Sequence, residues 1–561
     1  MAILSLLAAP VLAQDSPSVF IDRVDVNIVN VEVFVTDRSG KHVEGLTVDD
    51  FEIYEDGERV EITNFFAVAR PPAARQASES QDPAPSTAQT APPPAAAPKV
   101  DIPPEQRLHL LVYIDNFNIR PGNRRRVLAS LDGFLEGRTD VGDRIMLVAY
   151  DRGLETIQTF TDNPEQITTA LAHIRDKTRA NGLNEDMRRR STAQAISAAL
   201  QDPLTAGSAQ SYLSQYIQET RANLQHSTQA IGSVLQAMAG LPGRKAMLYV
   251  SDGLPQRPGE QLQDQFFGAD SISIRSNDTS YFQGVVRQAN AQQVTLYTLD
   301  ARGSVGTFTT AEYADNTAGG VNRVRLDAER TMNYQGALID MSEPTGGTAF
   351  INSYNFGTVM DNMAKDFDNF YSLGYTSPNA GDGKYHAIDV RVKGSGLSAR
   401  HRSGFNDKSE IERVQDQTMA SLIAGLDKNP LGVRLEFEQA KKKGKRYLLP
   451  TLIRIPLRDL TLLPNGDVQE GKLRIFLVVQ DEDGSVSPMQ DLPYPLSIPS
   501  AKIAAARQSA IGSLHHLEIR PGRQKIAVGV WDELSGTESF TQQVIDVGAQ
   551  SSSKKSKRTG R

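Results

Sequence analysis

The stretch Leu108–Asn118 (Leu-His-Leu-Leu-Val-Tyr-Ile-Asp-Asn-Phe-Asn) decides the fold of this chain. Its apolar run, Leu110–Ile114, stops abruptly at Asp115, and Asn116 and Asn118 follow. A short, continuous apolar run bounded by polar residues is typical of a strand buried on both faces. The stretch therefore predicts a central strand of a mostly parallel sheet.

Two further stretches repeat the pattern of an apolar strand that ends in an aspartate. Ala246–Ser251 is followed by Asp252, and Val294–Leu299 is followed by Asp300. Helical periodicity between these strands predicts an α/β fold with a doubly wound sheet. Since ligands of such sheets bind beyond the carboxyl ends of the strands, we expect an acidic rim along that edge.

The strand-end residues are candidates for a site that binds a divalent cation. Such a site needs several oxygen ligands that converge from loops at one edge of the sheet. The candidate ligands are Asp115, Asn116, Asn118 and Asp252, with Ser251 nearby and Asp300 further along the chain. The alternative is that Asp115 and Asp252 cap helices or turns at the strand ends.

Two other charged groups admit a structural and a functional interpretation. Arg124–Arg126 opens the helix after the first strand, as an anion-binding patch or as a solvated face. The carboxylates of Glu55 and Asp56 stand before Gly57 and are expected to be solvated turn residues.

The composition of the chain excludes several classes of protein and site. At 561 residues the chain is too long for one hydrophobic core, and its net charge of −7 argues against a nucleic-acid-binding body. The absence of cysteine excludes disulfides, thiolate metal sites and a cysteine nucleophile. No stretch reaches the roughly 18 apolar residues of a membrane-spanning helix, and no catalytic triad or phosphate-binding loop stands at a convincing position.

Changes in pattern along the chain predict the domain boundaries. Ala2–Ala13 is apolar and ends in Val-Leu-Ala, the form of a signal-peptidase site, which favours export over an ordinary apolar N-terminus. The predicted units are a signal-peptide-like segment 1–14, a small β unit 20–69, a Pro/Ala-rich linker 70–104, an α/β domain 105–405 with a helical insertion at about 175–240, an immunoglobulin-like β-sandwich 429–548 and a basic tail 549–561.

Several motifs together resemble those of a von Willebrand factor type A domain, and most closely the VWFA-related proteins of the acidobacterial type. The similar motifs are Asp115 after its strand, Gly243-Arg244-Lys245 before the strand that leads to Asp252-Gly253, Val-Thr-Asp-Arg-Ser-Gly (35–40), Gly-Leu-Thr-Val-Asp-Asp-Phe (45–51), Tyr-Glu-Asp-Gly (54–57), Tyr-Ser-Leu-Gly-Tyr (371–375), Gly-Lys-Tyr-His (383–386) and Arg-Ser-Gly-Phe (402–405). The resemblance covers roughly residues 20–405.

The resemblance implies a Rossmann-like sheet that binds protein ligands through a metal-ion-dependent adhesion site. That site uses Asp-x-Ser-x-Ser, a distant Thr and a distant Asp. Asp115 and Asp252 match the two aspartates, whereas Phe117 and Ile119 occupy the serine positions. The threonine falls in the helical insertion and is not assigned, so the site is expected to be degenerate, with Asn116 or Asn118 as substitute oxygen donors.

These features predict a secreted or periplasmic, non-enzymatic protein that binds an unknown protein ligand and no nucleic acid. One alternative is a functional Mg²⁺-dependent adhesion protein. Another is a scaffold subunit of a cell-envelope complex. A metal-dependent hydrolase is the least favoured, because the sequence offers no placed general base or nucleophile.

Overall fold

Four strands open the part of the chain that the computed structural model describes, which comprises residues 28–69, 107–268, 278–304, 323–482 and 485–548. The strands are β1 (Ile28–Thr36), β2 (Phe51–Glu55), β3 (Glu58–Val60) and β4 (Ile62–Ala69). A tight turn at Asp56 and Gly57, both with positive φ, joins β2 to β3. The predicted signal-like segment, linker and basic tail lie outside the described residues.

The stretch that begins at Leu108 forms an inner strand of a six-stranded sheet. The strands of this sheet are β5 (Leu108–Asp115), β6 (Arg144–Tyr150), β7 (Leu154–Thr161), β8 (Arg244–Ser251), β9 (Val294–Asp300) and β10 (Ala349–Phe350). Their order is β10-β9-β8-β5-β6-β7, and every neighbouring pair is parallel except β6 with β7. The order reverses between β5 and β8, so the carboxyl ends of these two strands flank the crevice where sheets of this kind bind ligands.

Helices cover both faces of this sheet. They are α1 (Pro121–Asp140), α2 (Pro164–Lys177), α3 (Gly182–Gln201), α4 (Ser208–Met238), α5 (Glu260–Phe267), α6 (Thr279–Ala291), α7 (Arg323–Ser342) and α8 (Phe356–Asp368). Alternate side chains of β5 point to opposite faces: Val112 and Ile114 pack with α1, α2 and α8, whereas Leu111 and Tyr113 pack with α4, α6 and α7. The run without polar residues in β5 follows from this burial on two sides.

The helical insertion predicted at about 175–240 contains α3 and α4, which pack against each other as an antiparallel hairpin. Ile196 of α3 and Leu213 and Ile217 of α4 form a small apolar cluster with Leu262 of α5. The amino-terminal half of α4 thus belongs to the hairpin, whereas its later residues, such as Leu235, pack on the sheet.

The strands from residue 369 onward pair with strands from the beginning of the chain. They are β11 (Asn369–Thr376), β12 (Tyr385–Val392), β13 (Ser398–Arg400) and β14 (Gly404–Asn406). They combine with the first four strands into two sheets, β13-β1-β11-β4 and β14-β12-β2-β3. Val31 and Val33 of β1, Ile53 of β2, Leu373 of β11 and Ile388 of β12 share one apolar core.

This pairing differs from the predicted boundaries, which assigned residues up to 405 to the α/β domain and kept 20–69 as a separate unit. Both neighbours of β11 come from the N-terminal segment, β1 on one side and β4 on the other. The physical reason is that β1 and β2 each carry an apolar face, and a few short strands cannot bury such faces without a second sheet.

The C-terminal part of the chain contains two antiparallel sheets that share one apolar core. After α9 (Glu410–Ala424), the elements are β15 (Arg434–Phe437), β16 (Lys441–Lys443), β17 (Arg446–Pro456), β18 (Leu463–Asn465), β19 (Val468–Gln480), β20 (Gln490–Pro499), α10 (Ile503–Ala506), β21 (Ala510–Ile519), β22 (Gly522–Asp532) and β23 (Thr537–Val547). In one sheet β17 pairs with β15, β16 and β21. In the other, β19 pairs with β18, β20 and β22, and β22 pairs with β23. Ile453 and Leu517 of the first sheet pack with Ile475 and Val528 of the second.

Within the described ranges, no helix combines the length and the apolar composition that crossing a bilayer requires.

Candidate functional site

Three strand-end aspartates lie at the same edge of the central sheet. Ile114 of β5 pairs with Val250 of β8, and Ser251 of β8 pairs with Asp300 of β9. Asp115 ends β5, and Asp252 follows directly after β8. The parallel register therefore brings the predicted residues to one edge.

Asp115 is fully buried and accepts hydrogen bonds from its own chain. Its Oδ1 accepts from the Asn118 amide N–H at 3.0 Å, and its Oδ2 accepts from Asn118 Nδ2 at 2.8 Å and from the Tyr249 hydroxyl. Ser251 Oγ lies 3.4 Å from the same Oδ2. Burial raises the pKa of Asp115, while these donors act in the opposite direction.

Asp252 is also surrounded by donors of its own chain. Asn123 Nδ2 lies 3.0 Å and 2.9 Å from its two carboxylate oxygens, and the Arg120 N–H donates to Oδ2 at 3.2 Å. Burial raises the pKa of Asp252 to about 6, against the lowering effects of Asn123 and Arg120. The group therefore loses much of its negative charge a little below neutral pH.

Asp300 forms an ion pair that uses both of its carboxylate oxygens. Arg302 Nε lies 2.9 Å from Oδ1 and Arg302 Nη2 lies 2.8 Å from Oδ2. Gln335 Nε2 donates to Oδ2 at 2.8 Å. This bidentate pair satisfies the third aspartate of the rim inside the protein.

Asn116 and Asn118 point into two different hydrogen-bond networks. Asn118 Nδ2 joins Asp115 to Ser227 of α4, with 3.3 Å to Ser227 Oγ. Asn116 Oδ1 accepts from Arg124 Nη1 at 2.9 Å, and its Nδ2 donates to Thr178 Oγ1 at 3.0 Å.

Thr178 is a site residue that the sequence did not identify, and the role of Arg124 in the site was not identified either. Arg124 is 8 % exposed, and its guanidinium also donates to the side chain and the carbonyl of Thr178, at 2.9 Å and 3.1 Å. For this arginine, both the anion-patch and the solvated-face interpretations are wrong. A partner 54 residues away leaves no local pattern from which it could be predicted.

The start of α3 lies directly on the loop after β5. The Asn181 N–H donates to the Asn116 carbonyl at 2.6 Å, and the Gly182 N–H donates to the Ile119 carbonyl at 3.0 Å. A Cβ atom on Gly182 would lie 2.6 Å from the Ile119 carbonyl carbon, so only glycine permits this approach. The helical hairpin thus covers part of the strand-end edge.

A buried ion-pair network fixes α3 in this position. Asp186 of α3 is 5 % exposed and lies 2.6 Å from both Arg120 Nη2 and Arg330 Nη2. Arg120 thereby contacts two aspartates: its backbone N–H donates to Asp252, and its side chain donates to Asp186. The two arginines hold the pKa of Asp186 below its usual value, although burial acts to raise it.

The residues at the serine positions of the resembled motif provide no oxygen. Ile119 is fully buried, and the Phe117 ring packs edge-on against Tyr150 at 6.3 Å. The Arg152 guanidinium lies over the Phe117 ring, 5.3 Å from its centroid. Both positions are therefore used for packing.

The donor set around the carboxylates does not fit a Mg²⁺ ion in this arrangement. Mg²⁺ requires oxygen atoms with free lone pairs in near-octahedral geometry. Here the N–H groups of Asn118, Asn123 and Arg120 point at the oxygens of Asp115 and Asp252. The role of Asp115, Asn116, Asn118 and Asp252 as metal ligands stays a prediction.

The comparisons with known proteins give no assignment by sequence. No protein-family model matches the chain, and no curated protein matches it. Among solved structures, the chain is similar to an aerotolerance-related membrane protein from Bacteroides fragilis at 10% identity and a TM-score of 0.22, over 46% of this chain and 98% of that one.

Two other similar structures were found. BatB from Bacteroides thetaiotaomicron is matched with the same values, 10% identity, 46% of this chain, 98% of that chain and a TM-score of 0.22. The ArnB paralog VWA2 from Sulfolobus acidocaldarius is matched at 11% identity and a TM-score of 0.20, over 79% of this chain and 66% of that one.

Proposed function

We propose that this chain is a secreted or periplasmic, non-enzymatic protein-binding protein of the adhesion type, with a von Willebrand A-like domain whose metal-ion-dependent adhesion site is degenerate. The central sheet is then a Rossmann-like doubly wound core, which its strand order supports. The C-terminal sheets form an immunoglobulin-like β-sandwich, which their shared core supports. The apolar segment Ala2–Ala13 supports export.

One observation carries the proposal: each strand-end carboxylate has hydrogen-bond donors from its own chain. Asp115 accepts from Asn118, and Asp252 accepts from Asn123 and Arg120. A cation would have to displace these donors and leave their N–H groups unpaired at a buried edge, which costs free energy. In the proposal the aspartates hold the loop after β5 in place, and the α3–α4 hairpin rests on that loop.

The outer side of the helical hairpin is the proposed surface for a protein ligand. Leu183 and Met187 lie four residues apart on α3, so they share one helix face, and both are exposed. Leu204, in the connection to α4, is 95 % exposed. Exposed apolar side chains on one element support a role in protein binding.

Calorimetric titration of the full chain with Mg²⁺ and Mn²⁺ tests the degenerate site. We compare the wild type with Asp115→Asn and Asp252→Asn, and with Asp132→Asn on the exposed face of α1 as a matched control. We expect the same heats in all four proteins, because the two buried carboxylates already have partners.

The opposite result would establish the alternative of a Mg²⁺-dependent adhesion protein. In that case saturable heat is present in the wild type and in Asp132→Asn but missing from Asp115→Asn and Asp252→Asn. Circular dichroism of the two site variants separates this outcome from a simple loss of folding.

A further inference from the structure

Two of the motifs that carry the family resemblance meet in space, although neither belongs to the strand-end site. Glu55 ends β2 and Asp56 begins the turn to β3, whereas His386 lies in β12. Strand β12 runs antiparallel to β2, with Ile388 opposite Glu55. This register places His386 beside the turn, 330 residues away from Asp56 in the chain.

One imidazole and two carboxylates converge at this place. His386 Nδ1 lies 2.8 Å from Asp56 Oδ2 and 3.8 Å from Glu55 Oε1. One ligand atom from each residue lies within 4.8 Å of the others. Nitrogen and carboxylate donors at this separation match the ligand types of a transition-metal site.

The burial of Glu55 is an independent observation that favours a cation here. The sequence predicted a solvated turn residue, and this prediction is wrong, because Glu55 is 1 % exposed. Among the described residues, neither its Oε2 nor the Tyr375 hydroxyl, which interacts with this carboxylate, forms a hydrogen bond of normal geometry. An unpaired oxygen of a buried carboxylate is costly unless a proton or a cation satisfies it.

A second layer of hydrogen bonds orients all three side chains. His386 Nε2 lies 3.0 Å from Asp382 Oδ1. Glu55 Oε1 accepts from Ser377 Oγ at 2.8 Å and from Asn379 Nδ2 at 2.9 Å, and Asp56 Oδ1 accepts from the Ala387 N–H at 2.8 Å. These partners leave Asp56 Oδ2, His386 Nδ1 and the Glu55 carboxylate, whose Oε1 lies nearest to His386, for a common ligand.

The contact of His386 Nε2 with Asp382 is the arrangement by which metal-binding histidines are usually held. A ligating histidine donates its second ring N–H to a carboxylate, which fixes the tautomer and makes the other nitrogen a better ligand. Asp382 is itself balanced by Lys384, whose Nζ lies 3.3 Å from Asp382 Oδ2. The lysine therefore does not compete for Glu55 and Asp56.

We propose that Glu55, Asp56 and His386 bind a divalent transition-metal ion, with Zn²⁺ as the best fit to this donor set. Bonds of about 2.0–2.2 Å in a tetrahedral zinc site place neighbouring donor atoms about 3.3–3.6 Å apart. The observed separations of His386 Nδ1 from Asp56 Oδ2, 2.8 Å, and from Glu55 Oε1, 3.8 Å, lie on either side of that range. The Asp56 side chain is 46 % exposed, which leaves a path of entry. A water molecule would be the fourth ligand.

An imidazolium ion without metal is the competing account of the same cluster. A doubly protonated His386 can donate to Asp56 and to Asp382. That account gives Glu55 Oε1, 3.8 Å from His386 Nδ1, no part in the cluster, whereas a metal ion would join Glu55, Asp56 and His386. The bound ion would tie the β2–β3 turn to β12, and thus the beginning of the chain to its later strands.

The test is a zinc titration of the full chain after removal of metal with a chelator. We measure binding by competition with a chromophoric chelator, and the visible spectrum of bound Co²⁺ as a second signal. We expect a single equivalent of tightly bound Zn²⁺ in the wild type and none in His386→Gln. The exposed His173, 3.7 Å from Glu155, provides the control variant His173→Gln, which should bind as the wild type does.

Two further variants keep the test independent of folding defects. Asp56→Asn changes an exposed side chain and should abolish tight binding. Asp382→Asn changes the residue that orients His386 and should weaken binding by about 10–100-fold. Zn²⁺ should also raise the melting temperature of the wild type but not of His386→Gln.

Either of two results would overturn the proposal: no zinc affinity above that of His386→Gln in the wild type, or affinity that all these variants retain. Asp115→Asn and Asp252→Asn should bind Zn²⁺ as the wild type does. A failure of the zinc proposal is therefore distinguishable from a failure of the proposed function. The proposed function is tested by the Mg²⁺ titration of Asp115→Asn and Asp252→Asn.

Discussion

At the scale of single residues, the chain buries several ionisable side chains whose charge the surrounding protein opposes. His109, near the start of β5, is buried with its ring edge-on to Phe160 at 5.2 Å. Burial lowers the pKa of His109 to about 3, and the positive charges of Arg144 and Lys245 add to the effect. The folded protein therefore keeps this imidazole neutral at physiological pH.

We predict that His109 destabilises the protein in acid. Because its pKa is lower in the folded than in the unfolded chain, the unfolded chain binds more protons, and stability falls as the pH drops below about 6.5. The loss reaches about 1.4 kcal/mol per pH unit until the pKa of the folded state near 3 is approached. Urea unfolding of His109→Phe between pH 7.5 and 4.5 should show a shallower loss than the wild type.

Exposed His173 provides the comparison, because His173→Phe should follow the wild type at every pH. Parallel curves for His109→Phe and the wild type would show that His109 is protonated without cost in the folded state.

At the scale of elements, the attachment of α3 to the strand-end edge depends on one buried carboxylate. Asp186 pairs with Arg120 and Arg330, and its removal would leave two arginines without that partner. Breaking a buried pair from one side typically costs about 3–5 kcal/mol. We therefore expect Asp186→Asn to loosen α3 before the central sheet is affected.

Hydrogen exchange measures this effect segment by segment. In Asp186→Asn, amides of Gly182–Gln201 should exchange faster while those of β5 stay protected. Glu219→Gln removes the exposed partner of Arg188 on the same hairpin and should change stability by less than about 1 kcal/mol. Equal protection of α3 in Asp186→Asn and the wild type would assign the hairpin's attachment to its apolar contacts.

At the scale of the whole molecule, the strands from the beginning of the chain and those after residue 369 form one unit. Since β1 and β4 are the two neighbours of β11, a fragment of residues 105–405 would expose both edges of that strand. Open apolar strand edges favour aggregation. We predict that this fragment aggregates, whereas a fragment of residues 28–406, which retains all eight strands, stays monomeric in size-exclusion chromatography. Monomeric behaviour of the shorter fragment would contradict the prediction.

Local patterns were sufficient for the central sheet and not for its surroundings. The apolar runs that end in Asp115, Asp252 and Asp300 predicted three parallel strands and their common edge, because burial on two faces leaves a clear signal. The donors to these carboxylates come from loops and helices without such a signal, as Asn123 shows. Glu55 was mistaken for a solvated residue because a carboxylate next to a turn has the same local sequence whether or not another strand covers it.

The long separation between paired strands has a consequence for how the chain is made. The hydroxyl of Tyr371 in β11 donates a hydrogen bond to the carbonyl of Val43, 328 residues earlier. At a synthesis rate of about 5–20 residues per second, the first strands wait tens of seconds after they leave the ribosome before their partners exist. During that interval β1 and β4 lack their β11 partner, so the nascent chain exposes unpaired, β-prone backbone until the last of these strands has emerged.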